Sequence, residues 1–364
     1  MIGYYLSEFF LYCCFAILTG GLILRTVPEE RKPEVRIPSF LLILCTAGIA
    51  ILSFFPVYKI TRFYQPSFEM AFWPMLKSVL TQIDTGKTWI WTLVFAIMLL
   101  VSLAAKPLQK EKAAPYISLI FLFLLMLEFG WGSHTSAFYG WKGFFTHTLH
   151  FIAAMVWIGL LLLVGWFSVK RTNWAAFLKW FSPLSIVCVV LMIAAGIGLM
   201  LFMDPDYADS WMLPYGQTLL IKHLLIIPLL TFAMINGLLM KRRLAANPDY
   251  DFSPWIKGEG ILALVVFAAT AVMGQQNPPH DVALYLQSAP PSRLFTSVYS
   301  GTFTPDMKVS LQFAPSSLLL GITAILCLIA IIAIFRKKWP VSAAMIAGLG
   351  FAVSAYFSFM LAIA

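Results

Sequence analysis

The chain has 364 residues, of which 60% are hydrophobic and 11% are charged, and its formal net charge is +9. A soluble protein carries about 25% charged residues, so this composition excludes an ordinary soluble domain. The positive charge does not indicate a nucleic-acid partner, because basic residues in a membrane protein first of all set its orientation. The expected surroundings are a lipid bilayer.

Apolar runs of about 20 residues, each long enough to cross a bilayer as a helix, recur along the whole chain. They predict an all-α polytopic membrane protein, a bundle of about ten transmembrane helices. The first run begins in MIGYYLSEFF, which lacks the basic start of a signal peptide, so it is predicted to be a retained helix. The predicted spans are 4–24, 37–55, 88–105, 115–133, 143–168, 181–203, 216–240, 257–275, 315–335 and 341–362.

The connections between these spans alternate in charge. Positively charged connections face the cytoplasm in most membrane proteins, so both termini are predicted to lie outside. The basic connections are 25–36, 106–112, 170–179, 241–243 and 336–338.

Two of the outer segments are long. Residues 56–87 are predicted to contain a helix that lies at the membrane interface, and residues 276–314 are predicted to form an ordered loop or cap. This layout divides the chain into three segments, of which the middle one is defined by a family resemblance. They are 1–114, with the N-terminal helices and the outer interfacial segment, 115–280, the membrane core, and 281–364, the outer loop and C-terminal helix pair.

The chain has only five histidines, and the predicted topology places all of them in the outer half. Two lie in FFTHTLHFIAAMVW (144–157), at the start of the fifth span. At 1.5 Å per residue, His150 and His223 each lie about 10 Å below the outer ends of their helices, which would let them meet if the helices are neighbours. The five are His134, His147, His150, His223 and His280.

Imidazole is the commonest transition-metal ligand, and ionisable residues inside a membrane are functional candidates. His147 and His150, three residues apart, are expected on one face of their helix. We therefore predict a shared metal site made by His147, His150 and His223. The incoming metal ion would first be captured by His134 or His280. A histidine near a helix end can instead serve only as a hydrogen-bond donor to a carbonyl, and a pair on facing helices could hold a b-type haem, with His150 and His223 as its ligands.

Methionine thioethers are soft ligands that select Cu(I), so Met155 and Met203 are candidates for the same site. Most of the sixteen methionines are expected to fill gaps in the packing. The five cysteines lie inside apolar runs without a CxxC motif, and they are predicted to be small buried hydrophobes.

Four further residues stand out along the spans. Glu128 is predicted to pair with a histidine or with Lys222, and Lys222 itself could snorkel to the surface, repel a cation or hold a carboxylate. Glu259, at the cytoplasmic start of the eighth span, is interpreted as an acid favoured by the helix dipole rather than as an exit-side ligand. Trp157 lies deep in the fifth span, below the histidines.

Several motifs of enzymes are absent from the sequence. There is no GxxxxGK[ST], HExxH or GxSxG, so ATP-driven pumping, zinc-protease and serine-hydrolase chemistry are not indicated. The chain is predicted not to be an enzyme.

Five motifs, in order, resemble the bacterial copper resistance protein D family. HTLHFIAAMVWIGLLLL (147–163) resembles its "His, small residues, Trp-Ile-Gly" signature, and GSHTSAF (132–138) resembles the Gly-His-Ala element before it, here interrupted by Ser133. Three more helices of the family are matched in the same order. They are WFSPLSIVCVVLMIAAGIGLML (180–201), YGQTLLIKHLLIIPLLTFAMING (215–237) and EGILALVVFAATAVMGQQNPP (259–279).

The resemblance implies a protein of the bacterial cytoplasmic membrane that moves copper into the cytoplasm. It also implies a soluble extracytoplasmic partner of the copper resistance protein C type, although no such domain is fused to this sequence. It carries over His134, His147, His150 and His223 as copper contacts, whereas Trp157, Lys222 and Glu259 match motif positions without an assigned role. The same residues also fit a copper protein that does not transport the ion. Such a protein could assist oxidase assembly, receive copper from a carrier or sense copper.

Overall fold

The computed structural model describes residues 2–105, 111–170, 172–247, 250–279, 281–304 and 306–364. In this part of the chain ten helices are long and apolar enough to cross a membrane, which confirms the predicted all-α polytopic fold. The chain forms two compact units, Met1–Phe202 and Met203–Ala364. The division into segments 1–114, 115–280 and 281–364 stays a prediction, as does the placement of both termini outside.

The first unit is built from helices that correspond to the first six predicted spans and to the outer segment between spans two and three. The last helix of this unit ends on the first residue of the second unit. The helices are α1 (Ile2–Thr26), α2 (Ser39–Leu52), α3 (Phe54–Ser67), α4 (Phe72–Gln82), α5 (Asp84–Ala104), α6 (Ala114–Trp131), α7 (His134–Phe167) and α8 (Trp174–Met203).

Helices α1 and α7 cross at a pair of glycines. A Cβ atom built on Gly20 would lie 2.3 Å from the carbonyl oxygen of Gly159, and one built on Gly159 would lie 2.1 Å from that of Ala16. The two backbones therefore touch, which only residues without a side chain allow. This contact makes α1 and α7 the centre of the first unit, with α2 and α6 packed against α1.

Helix α4 confirms that the segment 56–87 contains a helix, and α3 precedes it. The two helices pack through an apolar cluster of Val57, Met75, Leu76 and Val79. Phe63 and Trp73 are exposed on the same pair. Large exposed aromatic rings beside basic residues are typical of helices that lie at a membrane interface.

Two of the basic connections meet at one end of the first unit. Trp180 donates its indole N–H to the carbonyl of Arg31 at 2.8 Å, and Lys170 forms an ion pair with Glu34 at 2.9 Å. Hydrogen bonds from Lys170 and from Arg36 lower the pKa of the Glu34 carboxyl. Connections 25–36 and 170–179, which the charge pattern assigns to a common side, thus lie together.

The fifth and sixth spans begin earlier than predicted. Helix α7 starts at His134, because a short outer helix continues into the span through a kink at Gly140, whose φ is 54°. Helix α8 starts at Trp174, inside the connection predicted to run to residue 179. Apolar periodicity marks the membrane-spanning part of a helix but not its polar extension, which explains both differences.

The second unit contains the last four spans and short helices between them. The seventh span runs through α9 (Pro214–Met234), a π-helical turn (Ile235–Leu239) and α10 (Met240–Ala246). The remaining helices are α11 (Ser253–Gly274), α12 (Val282–Ser288), α13 (Arg293–Val298), α14 (Pro315–Arg336) and α15 (Val341–Met360). The predicted outer cap 276–314 therefore contains two short helices.

Helix α9 is the centre of the second unit, with α11 and α15 packed on it. Gln217 on α9 is fully buried and joins three elements. Its amide donates to the carbonyl of Trp211 and accepts from the hydroxyl of Tyr356 on α15, both at 2.5 Å. The C-terminal pair α14–α15 is thus attached to the core by polar contacts as well as apolar ones.

Candidate functional site

His150 is held by a hydrogen bond to the neighbouring helix. Its Nδ1 atom lies 2.8 Å from the carbonyl oxygen of Met192 on α8. A carbonyl can only accept, so Nδ1 carries the proton and the lone pair of the neutral ring is on Nε2. This is the arrangement that metal-binding histidines usually have, because a hydrogen bond at one ring nitrogen fixes the other as the ligand.

A glycine on α8 makes room for this ring. A Cβ atom on Gly196 would lie 3.3 Å from Cε1 of His150, which is tighter than an ordinary contact. Two residues along, a Cβ on Gly198 would lie 3.2 Å from the methyl group of Thr146. The sequence AAGIG therefore forms the surface on which the histidine face of α7 rests.

His147 contacts different neighbours from His150. Its ring lies 5.7 Å from that of Phe129 on α6 and stacks on Phe151 at 6.4 Å, measured between ring centroids. Phe15 of α1 completes the aromatic cluster, 5.1 Å from Phe151. The two histidines share one side of α7, as their spacing predicts, but His147 is directed to α6 and His150 to α8.

His134 is the first residue of α7 and is exposed. Ser133, which interrupts the Gly-His element, caps this helix by accepting a hydrogen bond from the backbone N–H of Ser136. Serine is a favoured residue at that position. Beyond the kink at Gly140, Gly143 packs directly on the carbonyl of Thr135, which fixes the short outer helix against the span.

His223 lies in the second unit, where its Nδ1 shares a hydrogen bond of 2.8 Å with the hydroxyl of Tyr207. Burial raises the pKa of Tyr207 to about 12, so the phenol keeps its proton. Lys222, next to His223 on α9, is half-buried. The predicted shared site of His147, His150 and His223 combines residues of both units, and it stays a prediction.

Asp204 is the buried acid of the loop that precedes α9. Its Oδ2 accepts a hydrogen bond from Ser210 at 2.7 Å, whereas its Oδ1 is buried and has no hydrogen-bond partner among the described residues. Burial raises the pKa of this carboxyl to about 6. The loop thus holds an acid that changes its charge close to neutral pH, a feature that sequence reasoning missed because MDPDYADSW looks like an ordinary polar loop.

Both predicted methionines are buried in the packing. Met155 is 2% exposed on α7 and Met203 is 6% exposed at the end of α8. Trp157 is 1% exposed and belongs to the core of the first unit. Glu128 is half-buried one turn before the end of α6. Metal binding by the two methionines stays a prediction, as does the pairing of Glu128 with a histidine or with Lys222.

Glu259 is buried and paired with an amide. Its Oε2 accepts a hydrogen bond from Nδ2 of Asn236 at 2.7 Å. The dipole interpretation of Glu259 is wrong, because α11 begins at Ser253 and its first turn contains no acidic residue. The dipole effect fades beyond the first turn. Asn236 lies in the π-helical turn, a distortion that is frequent at functional sites.

The structure also brings together cysteines that the sequence analysis treated as separate hydrophobes. The thiols of Cys14 on α1 and Cys45 on α2 interact, and Sγ of Cys14 lies close to Gly48, one turn after Cys45. The two residues are 31 positions apart, so no spacing motif could have revealed them. Only the packing of α1 on α2 creates this pair.

Among the residues that the structure describes, no three His, Cys, Asp or Glu side chains form a group that could hold a metal ion. The candidate contacts for a transported ion are therefore single residues and pairs. His280, predicted as an outer capture residue, lies outside the described residues.

The family model "Copper resistance protein D-like, N-terminal domain" matches residues 1–144, and the model "Copper resistance protein D" matches residues 175–273. No solved structure matches the chain.

One curated relative is the "Copper transport protein CutJ" of Bacillus subtilis (strain 168), which is 24% identical over 215 residues. The alignment covers 56% of this chain but only 39% of that protein, so the chain spans well under half the length of this relative. The two family models follow one another in order and together span about two thirds of the sequence. The chain therefore belongs to the copper resistance protein D family.

Proposed function

We propose that this protein is a copper transporter that carries copper into the cytoplasm across the bacterial cytoplasmic membrane, and that it is not an enzyme. Membership of the copper resistance protein D family supports copper as the cargo, and the curated relative is named as a copper transport protein. Ten candidate membrane spans within the described residues supply the body of a transporter.

The observation that carries the proposal is the setting of His150. Its Nδ1 proton is fixed by the carbonyl of Met192, so Nε2 is the nitrogen that can bind copper. The ring is partly exposed rather than sealed in the core. A rigid, correctly protonated imidazole inside a membrane span is what a transient copper contact requires, because the ion must bind without rearranging its ligand.

Copper would arrive at the outer side, where His134 is exposed. His147, His150 and His223 would be the next contacts, with Met155 and Met203 as soft ligands if the surrounding packing opens. A soluble copper-binding protein of the copper resistance protein C type would deliver the ion.

The proposal is tested by the copper content of cells that express the chain. Expression should raise intracellular copper, and His150→Ala should abolish the gain. Leu149→Ala is the matched control, since Leu149 is the neighbouring residue on α7 and its side chain is 43% exposed. Equal copper in expressing and empty-vector cells would refute transport, and full uptake by His150→Ala would refute the role of His150.

Metal analysis of the purified protein separates the rival hypotheses. A transporter, an assembly factor and a sensor all bind copper, but only the transporter raises cellular copper. A b-type haem held by histidines would give a Soret band. We expect bound copper and no Soret band.

A further inference from the structure

We propose that Cys14 and Cys45 form a binding site for Cu(I) inside the membrane part of the first unit. This inference rests on the proposed function only for the choice of ion. It adds a contact for the ion away from the histidines.

The geometry of the pair is the first argument. Cys14 is the thirteenth of the 25 residues of α1, which places it halfway along a membrane span. Its thiol interacts with that of Cys45, which is buried on α2. A Cβ atom on Gly48, one turn after Cys45 on α2, would lie 2.9 Å from Sγ of Cys14. The sulfur therefore rests against the backbone of α2, and the absence of a side chain at Gly48 makes this approach possible.

The position of α1 is the second argument. Phe15, the next residue after Cys14, packs on Phe151 in the aromatic cluster that also surrounds His147. Helix α1 thus packs both on the histidine helix α7 and on α2. The thiol pair therefore lies on a helix that directly contacts the histidine helix.

The chemistry selects Cu(I) among the common metal ions. Thiolate sulfur is a soft ligand that favours Cu(I), Zn(II) and iron–sulfur clusters. Zinc sites use four ligands, or three and a water, whereas Cu(I) is stable with two. No group of three His, Cys, Asp or Glu ligands exists among the described residues, so a two-ligand ion fits best.

Charge balance agrees with this choice. A net charge inside the bilayer is costly. When Cu⁺ binds, one thiol gives up its proton and becomes a thiolate, while the other keeps its proton and binds through its sulfur lone pair. One proton leaves for each Cu⁺ that enters, so the loaded site is as neutral as the empty one. Neither the copper nor the sulfur changes its oxidation state.

The test uses the full chain, purified anaerobically with its cysteines reduced, and Cu(I) supplied in competition with a coloured Cu(I) chelator. Wild type should bind one more Cu(I) than Cys14→Ser or Cys45→Ser, with a thiolate-to-copper absorption band that both variants lack and release of one proton for the additional ion. Cys188→Ser and Cys327→Ser are matched controls, because each removes a thiol elsewhere, and they should bind as wild type does.

Thiol labelling with a membrane-permeant maleimide gives a second readout that does not depend on the folding of a variant. In wild type, Cu(I) should protect Cys14 but leave the labelling of Cys327 unchanged, and both of these thiols are partly exposed. Equal labelling of Cys14 with and without Cu(I), or equal stoichiometry in Cys45→Ser, would overturn the inference. Failure of the transport proposal looks different, because the thiol pair would then bind Cu(I) in purified protein while cellular copper stays constant.

Discussion

Asn236 donates a hydrogen bond from Nδ2 to Oε2 of Glu259 at 2.7 Å, and the same nitrogen lies 3.1 Å from the carbonyl of Trp255. The pair connects the π-helical turn that follows α9 with α11. Both side chains are buried, with Glu259 only 2% exposed. The amide thus supplies a polar partner to a buried carboxyl group.

Replacing Asn236 should therefore destabilise the second unit. Asn236→Ala leaves a buried carboxyl without this donor, which costs about 1–3 kcal/mol. Glu259→Gln keeps the shape and an acceptor oxygen, so it should be tolerated better. The measurement is thermal unfolding in detergent for the two variants. If Asn236→Ala is as stable as wild type, the hydrogen bond does not stabilise the unit.

The space beside His150 provides a test of its role that leaves the histidine in place. Gly196→Ala would put a methyl group 3.3 Å from Cε1 of His150 and displace the ring from Met192. We expect this displacement to weaken the free energy of copper binding by about 0.5–1 kcal/mol, which corresponds to roughly two- to five-fold weaker binding.

The control lies two residues along the same helix. Gly198→Ala meets the methyl group of Thr146 at 3.2 Å, so it crowds the same helix contact without touching the imidazole. Copper titration of both purified variants should show weaker binding for Gly196→Ala only. Equal affinities would show that crowding of the imidazole does not affect the binding of copper.

The sequence predicted much of this architecture because its signals are local. Apolar length located all ten spans, and the spacing of His147 and His150 placed them on one side of α7. The part of α7 before Gly140 is polar and carries no apolar signal, so the start of this helix was predicted too late in the sequence. The contacts of Cys14 with Cys45 and of Asn236 with Glu259 depend on which helices pack together, and a single sequence does not contain that information.

The buried Asp204, in the loop between α8 and α9, predicts a pH dependence of stability. The pKa of Asp204 is about 6 in the folded protein, against 3.8 for a free aspartate, so the folded state binds this proton more tightly than the unfolded state does. Stability should then fall as the pH rises from about 4 to about 6 and stay level above that range. A shift of about two pKa units corresponds to about 3 kcal/mol.

Two substitutions should change this profile in opposite directions. Asp204→Asn removes the titrating group, so it should raise the unfolding temperature at pH 7 and flatten the curve. Ser210→Ala removes the hydrogen bond that stabilises the carboxylate, so it should lower the unfolding temperature at pH 7 and move the midpoint upward. Unfolding temperatures measured from pH 4 to pH 8 check both, and a profile of Asp204→Asn that matches wild type would contradict the assignment.

The kink of α7 should depend on the backbone of one residue. Gly140 has φ 54° and ψ −133°, a conformation that side chains with a Cβ rarely adopt, yet nothing lies within 4 Å of where its Cβ would be. Gly140→Ala therefore tests backbone strain without a steric clash, and it should cost about 1–3 kcal/mol. Gly237→Ala is the matched control, because its Cβ would also meet open space and its φ lies outside the positive range.

The strain can be relieved only if the short outer helix changes its direction relative to the span. His134 and Tyr139 belong to that short helix and would move with it. The hydroxyl of Tyr139 donates a hydrogen bond to the carbonyl of Phe202 on α8. Gly140→Ala should therefore lower the unfolding temperature and increase the cleavage of residues 132–142 by an added protease, whereas Gly237→Ala should do neither. If Gly140→Ala matches the control in both measurements, the kink tolerates an ordinary residue and the direction of the outer helix is set by its packing alone.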